Sequence, residues 1–323
     1  MVTFLLIYLT IGFSLLIIGS HFFVEGATSV ARNMKIPTIV IGLTIVAFAT
    51  SAPEILVSYI SALDAESSLA IGNAIGSNTA NIALVMGSTA IIKTISLDSL
   101  IIRKLIKALF LVSIIMIIPF FDNYLSQLEG KIILGGFLIT MLWLLQFNLK
   151  LSSKENTANE YNKDLPATSS LHMPLSQAFF ILIFGLFILF YGADVVVKYA
   201  IEFAQELQIP QAIIGITVVA IGTSLPELSV SIASAIKGEH GLAIGNIIGS
   251  NIFNLLAVVG LAAAISPANL PGNMFSVHFC LMLTLTAVLF FLTYTKEKII
   301  RQSEGIILLL IFLAYIGYII SYS

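Results

Sequence analysis

The chain carries the same long apolar segment twice, and each copy contains one glutamate. IGLTIVAFATSAPEILVSYISA, residues 41–62, recurs as IGITVVAIGTSLPELSVSIASA, residues 214–235. LAIGNAIGSNTANIALVMG follows the first copy and LAIGNIIGSNIFNLLAVVG the second, so that matched positions stay 173 residues apart without a gap. Glu54 therefore corresponds to Glu227. Because a carboxylate inside an apolar helix is costly to bury, two equivalent ones predict one functional site shared by two halves.

The composition is that of a membrane protein. Apolar residues make up 58% of the chain and charged residues 10%, against about 25% charged residues in a typical soluble domain. Apolar runs long enough to cross a bilayer recur along the whole sequence. We predict an all-α membrane protein with ten transmembrane helices, the first of them a retained helix rather than a cleaved signal. The predicted spans are 3–24, 37–61, 69–92, 104–121, 131–149, 175–197, 211–236, 241–264, 274–295 and 306–321.

The connections between ten spans lie alternately on the two sides of the membrane, and lysine and arginine are unevenly divided between these sides. Of 15 such residues, all but Lys131 and Lys198 fall in connections on one side. Basic residues are enriched in cytoplasmic connections. We therefore expect a multi-pass protein of the plasma (inner) membrane with both termini outside the cytoplasm.

One polar stretch divides the chain into two equal sets of helices. Residues 151–174 are rich in Ser, Asn, Thr, Lys and Glu, which is typical of a flexible linker. We expect this linker to be cytoplasmic and to separate a five-helix repeat at 1–150 from a second at 175–323. Since five is odd, the second repeat would enter the membrane from the opposite side. Inverted repeats are typical of secondary transporters with a site near the midplane.

The TSAPE sequence around Glu54 predicts a broken helix lined with oxygen atoms. Pro53 has no N–H, so it disrupts the preceding helical turn and allows carbonyls such as that of Ala47 to tilt towards a ligand. Thr50 and Glu54 lie four residues apart on one helix face, with Ser51 beside them. The corresponding residues of the second copy are Ala220, Thr223, Ser224, Pro226 and Glu227.

The next helix of each copy combines close packing with further polar side chains. Gly72 and Gly76 form a GxxxG pattern, which lets helices approach closely. Ser77 and Asn81 are four residues apart and share a face. The corresponding residues of the second copy are Gly245, Gly249, Ser250 and Asn254.

Together these residues offer only oxygen ligands. The set has no thiol or imidazole, which disfavours zinc, copper and iron, and it suits hard cations, with calcium and sodium ahead of magnesium. The single cysteine, Cys280, can form no intrachain disulfide. We expect transported cations as ligands and a lipid bilayer as surroundings. We expect no resident cofactor, no nucleic-acid or protein partner and no enzymatic activity, since no Ser–His, paired-Asp or nucleotide-binding arrangement is evident.

The duplicated pattern GxTxxAxxTSxPE followed by GNxxGSNxxN resembles the sodium/calcium exchanger family, within the cation/calcium antiporters, in its prokaryotic type. The resemblance implies ten helices in inverted repeats, with calcium and sodium binding at Glu54 and Glu227. It implies further oxygen ligands for sodium at the other matched positions, which are Ala47, Thr50, Ser51, Ser77, Ala220, Thr223, Ser224 and Ser250. Asn81 and Asn254 match the remaining pair at the middle of the site. Some family members have Asp where this chain has Asn254, and potassium-dependent relatives also have an acidic residue there. The lack of an acidic side chain at position 254 therefore disfavours potassium dependence.

The leading functional hypothesis is an electrogenic antiporter that exchanges calcium for sodium by alternating access. The alternative is a proton- or potassium-coupled exchanger of calcium or of another divalent cation. A passive channel remains a third hypothesis, although inverted repeats favour a single occluded site over a pore.

Overall fold

The computed structural model describes residues 2–152, 173–208, 220–295 and 297–322. Most of these residues are helical. The α-helices are α1 (Val2–Met34), α2 (Thr38–Ile41), α3 (Ala47–Thr50), α4 (Ala52–Leu63), α5 (Ser67–Ala80), α6 (Gly87–Ile92), α7 (Leu100–Ile115), α8 (Ile117–Phe120), α9 (Gln127–Ser152), α10 (Leu175–Glu206), α11 (Ala220–Thr223), α12 (Leu225–Ile236), α13 (His240–Ile252), α14 (Val259–Ile265), α15 (Cys280–Leu292) and α16 (Gln302–Tyr322). Wider π-helical turns join or precede some of them, at Gly42–Val46, Asn81–Met86, Phe253–Val258 and Met274–Phe279.

The helices establish a multi-pass integral membrane protein. Seven described helices are long and apolar enough to cross a membrane, and the bent pair 38–50 and 52–63 makes an eighth. The predicted fourth span, 104–121, is divided at Met116 and carries Lys104 and Lys107 on α7. Of the predicted seventh span, residues 211–219 lie outside the described residues, as does most of the predicted linker. The count of ten spans therefore stays a prediction.

The first helix is longer than its apolar run predicts. The predicted span ends at residue 24, whereas α1 continues to Met34. The extension is stabilised by packing, because Ala27, Val30 and Ala31 are buried in a core cluster shared with α10. A polar sequence thus continues as helix where one of its faces is covered.

Glycines bring α1 and α10 into backbone contact. A Cβ atom on Gly26 would lie 2.4 Å from the amide nitrogen of Leu182, and one on Gly185 would lie 2.4 Å from that of Phe23. No side chain fits in either place, so the two helices cross at a distance that only glycine permits.

Two short antiparallel ladders join connections that are distant in sequence. β1 (Ile95–Ser96) pairs with β4 (Ile299–Ile300), and β2 (Tyr124–Leu125) pairs with β3 (Ala268–Asn269). Lys298 supports the first ladder through an ion pair with Asp98 at 2.8 Å. Each ladder connects two segments that the alternation of ten spans places on the same side of the membrane, so the helix order is consistent with that alternation.

The duplicated segments form the centre of the protein. In the spans Ser67–Ile92 and His240–Ile265, 72% and 83% of the most apolar window is buried, whereas the other described spans range from 22% to 39%. These two spans therefore contact protein, and the others face lipid over most of their surface.

The second-copy GxxxG pair packs against the first copy. A Cβ atom on Gly245 would lie 2.5 Å from the carbonyl oxygen of Ile39, and one on Gly249 would lie 2.5 Å from the Cβ of Ala47. Helix α13 thus lies directly on the segment that leads to the TSAPE break. In the first copy, the nearest atom to a Cβ on Gly72 is the flexible Cε of Met274, at 3.5 Å.

We predict opposite outcomes for two equivalent substitutions. Gly245→Ala places a methyl group too close to the backbone carbonyl oxygen of Ile39 and should destabilise the protein by about 1–3 kcal/mol. In Gly72→Ala the added methyl group makes only an ordinary van der Waals contact. This variant should leave the stability unchanged or raise it, because alanine stabilises a helix by up to about 1 kcal/mol relative to glycine. Melting temperatures of the two variants in detergent check this. An equal decrease in both would contradict the close packing of α13.

Candidate ion-binding site

Each copy of the repeat breaks its helix at the serine of the TS pair. Ser51 has φ −86° and ψ 5°, and Ser224 has φ −90° and ψ 2°, which are not helical values. Helix resumes at once in α4 and α12, with the proline in the first turn, where its missing N–H costs nothing. The predicted interruption is therefore present in both copies and has the same backbone form.

The break places each glutamate at a helix N-terminus inside the protein. Glu54 lies in the first turn of α4 and Glu227 in the first turn of α12, and each is 1% exposed. The positive end of a helix dipole favours a carboxylate there. Among the residues that the structure describes, neither carboxylate forms a salt bridge with a basic side chain. The two buried charges therefore lack a protein counter-charge.

A hydrogen bond links the two copies at their breaks. The hydroxyl of Ser51 donates to Oε1 of Glu227 at 3.2 Å. The first-copy serine thus contacts the second-copy carboxylate, and the two breaks face each other. The structure brings together the two carboxylates that the repeat predicts to share one site.

The predicted hydroxyl and amide residues are buried in the same part of the protein. Ser77 and Asn81 lie at the junction of α5 with its π-helical turn, and Ser250 and Asn254 lie at the equivalent junction after α13. Several buried oxygens of predicted ligands have no hydrogen-bond partner within the described ranges. These atoms are Oε2 of Glu54, Oε2 of Glu227, Oγ of Ser224, Oγ of Ser250, Oδ1 of Asn81 and Oδ1 of Asn254.

The remaining predicted ligands lie on the two broken helices. The carbonyl oxygen of Ala47 accepts a hydrogen bond from the amide of Ser51 at 3.0 Å and lies 3.4 Å from the hydroxyl oxygen of Thr50. Thr223 is half-buried at the end of α11. Ala220 begins the same helix, and its side chain lies outside the described set.

The ligand chemistry is that of a hard-cation site. Buried oxygen atoms without partners are costly, because each has lost its hydrogen bonds to water. A cation that accepts carboxylate, hydroxyl and amide oxygens would satisfy them together. No cluster of three or more His, Cys, Asp or Glu side chains occurs in the described parts of the chain. Two carboxylates with neutral oxygens around them suit calcium or sodium rather than a transition metal.

Asn246 is a site residue that the sequence reasoning missed. Its Oδ1 accepts from the hydroxyl of Thr50 at 3.0 Å, and its Nδ2 donates to Oγ of Ser231 at 3.1 Å. It lies in the duplicated GNxxGSN pattern, as does its counterpart Asn73. Two identical asparagines 173 positions apart in apolar helices were the signal that could have identified it.

A cavity opens beside the two proline breaks. Its volume is about 250 Å³, and Pro53, Thr223 and Pro226 form its inner wall. Residues of α10 line the rest, including the exposed Asp194 and the half-buried Val197. The cavity lies beside the middle of α10, between that helix and the two breaks.

Comparisons with known proteins identify the family of the chain. Residues 4–146 and 177–321 match the family described as sodium/calcium exchanger protein. The chain is 39% identical to a putative antiporter, CaxA, of Alkalimonas amylolytica, over 96% of each chain. It is 28% identical to the sodium/calcium exchanger MaX1 of Methanosarcina acetivorans, over 98% of each chain. Solved structures of the sodium-calcium exchanger NCX_Mj superimpose with a TM-score of 0.82 at 30% identity, over 98% of this chain and 99% of that one.

We predict that calcium stabilises the protein only while both glutamates are present. A ligand at 100 times its dissociation constant raises the free energy of unfolding by about 2.7 kcal/mol. Glu227→Gln should lose most of the calcium-dependent rise in melting temperature. Without calcium it should melt no lower than the wild type, because an amide needs no counter-charge. Glu206→Gln removes an exposed carboxylate as the matched control and should keep the full calcium response. A full response in Glu227→Gln would exclude the glutamate pair as the site.

Proposed function

The chain belongs to the sodium/calcium exchanger protein family, and from this premise we propose that it is a secondary antiporter that exchanges calcium for sodium across the membrane. The observation that carries the proposal is the pair Glu54 and Glu227, both buried without a protein counter-charge in the described residues, with Ser51 of the first copy donating a hydrogen bond to Glu227 of the second. When ionised, such a pair attracts cations from solution, and a cavity lies beside the breaks.

The charge of the site explains why the two ions would exclude each other. Asn81 and Asn254 are neutral, so the two glutamates contribute a formal charge of −2 when both are ionised. One calcium ion neutralises this charge, and sodium ions need the same carboxylates. Calcium would therefore leave before sodium fills the site, and exchange follows from competition for the same oxygens.

For the architecture we propose ten transmembrane helices in two inverted repeats. Residues 1–150 form the first five-helix repeat, 151–174 a cytoplasmic linker and 175–323 the second repeat. The β1–β4 and β2–β3 ladders support this order, because each connects segments that would share a side. The excess of lysine and arginine supports an inner-membrane protein with both termini outside the cytoplasm.

The site favours a carrier over a channel. In the described residues the carboxylates are almost completely buried, and that of Glu227 is contacted by Ser51 of the other repeat, whereas a pore lining would be hydrated along its length. The related proteins named above include exchangers, which are transporters rather than enzymes. Alternating access at this one site is the mechanism that we propose.

The test is calcium uptake into liposomes that contain the purified protein. Vesicles loaded with sodium, with potassium or at low internal pH are diluted into buffer with labelled calcium. Sodium-loaded vesicles should take up calcium at least tenfold faster than the others, and Glu54→Gln should abolish the uptake. Faster uptake with potassium or protons would establish the alternative coupling ion instead. Uptake that is not accelerated by unlabelled internal calcium would favour a channel over an exchanger.

We propose that the exchange is electrogenic, because the neutral hydroxyl and amide oxygens offer room for more sodium than two carboxylates need. If more than two sodium ions leave for each calcium that enters, net positive charge moves outward during uptake. An interior-positive potential should then accelerate sodium-driven calcium uptake and an interior-negative one should slow it, with about 2.3 kcal/mol per charge for each 100 mV. Uptake at clamped potentials measures this. Rates that do not depend on voltage would establish an electroneutral exchange.

A further inference from the structure

The two copies of the repeat make different hydrogen bonds with identical residues. In the second copy, Asn246 of α13 donates to the hydroxyl of Ser231 on α12 at 3.1 Å and to the carbonyl of Glu227 at 3.4 Å. It also accepts from Thr50 of the first copy at 3.0 Å. One buried side chain thus joins α12, α13 and the first-copy break.

The first copy has the same two residues but not the bond. Asn73 of α5 corresponds to Asn246, and Ser58 of α4 corresponds to Ser231. Helix α4 packs against α5 as α12 packs against α13. Nevertheless, neither Nδ2 of Asn73 nor Oγ of Ser58 has a hydrogen-bond partner among the residues that the structure describes, although both atoms are buried.

The two bonding residues are the same in both copies, so their own chemistry does not explain this difference. It comes from their surroundings, which are the neighbouring side chains and the relative positions of the helices. Buried polar groups without partners are unfavourable, so the first copy has a bond available that this arrangement does not make. In carriers built from inverted repeats, access changes when one repeat moves against the other, and such a movement would exchange the arrangements of the two halves. That exchange would form the bond from Asn73 to Ser58 and break the bond from Asn246 to Ser231.

We propose that Asn246 and Asn73 are alternating positioning residues of the transport cycle. Asn246 stabilises the arrangement seen here, in which a cavity is present beside Pro53 and Pro226, through Ser231 and Thr50. Asn73 stabilises the opposite arrangement through Ser58. Because Thr50 is also a proposed ligand, breaking the bond to Asn246 releases its hydroxyl at the step when the site changes sides. The inference rests on the proposed antiport, since it assumes two access states.

The test measures whether the cavity is open, without any transport. Val197 lines the cavity and is half-buried, so a cysteine there reports on its opening. The reporter is Val197→Cys in a Cys280→Ser background, treated in detergent with a small hydrophilic thiol reagent, in choline buffer without sodium or calcium. Asn246→Ala should slow the modification by about two- to tenfold, the range expected for one neutral hydrogen bond. Its mirror variant Asn73→Ala is the matched control and should not slow it.

Two further variants keep the test valid if an asparagine substitution prevents folding. Ser231→Ala and Ser58→Ala remove one hydroxyl each and leave the helices otherwise unchanged. Ser231→Ala should slow the modification, and Ser58→Ala should not. Equal slowing by both members of a pair, or no slowing by Asn246→Ala and Ser231→Ala, would overturn the proposal. Since the assay needs no ion gradient, failure of sodium-driven uptake would refute the proposed function separately.

Discussion

Two buried carboxylates determine much of the rest of this structure. Glu54 and Glu227 are almost completely removed from solvent, and no basic side chain pairs with either of them in the described residues. Such burial is tolerated where fixed dipoles, a bound proton or mobile cations balance the charge. The helix breaks supply the dipoles, because each places its glutamate in the first turn of a new helix. Protons or cations from solution supply the rest, and for this reason the pair fits the transport site that we propose.

Close packing of the two copies makes this site possible. Helix α13 lies against residues 39–47 through Gly245 and Gly249, at distances that exclude any larger side chain. This contact places Asn246 within hydrogen-bonding distance of Thr50, and Ser51 lies within reach of Glu227. The residues that we propose as ligands of one site therefore come from both halves. A movement of one half relative to the other would change the ligand set and not merely expose it.

The asymmetry between the copies has a physical consequence for such a movement. The equivalent residues have equal local preferences, so the energies of the two arrangements differ only through packing and surroundings. A carrier needs two states of similar free energy, since a large difference would leave one of them unpopulated. Asn246 is hydrogen-bonded to Ser231, whereas the side-chain amide nitrogen of Asn73 has no partner in the described residues. An inverted repeat held in one of two such states would have this asymmetry.

The sequence by itself determined the chemistry of the site and the correspondence between its halves. Proline at 53 and 226 breaks a helix wherever it lies inside one, because it lacks an N–H, and the oxygen-only ligand set follows from composition. Apolar runs likewise predicted the described spans, although α1 extends ten residues beyond its apolar run because its next turns are covered by protein. Only the tertiary structure decided which copy of each repeated residue makes a contact. Gly245 packs against backbone and Gly72 does not, and Asn246 is bonded whereas Asn73 is not. The equivalent residues are identical, so their own preferences cannot encode that difference, which depends on the side chains and helices that are placed against them.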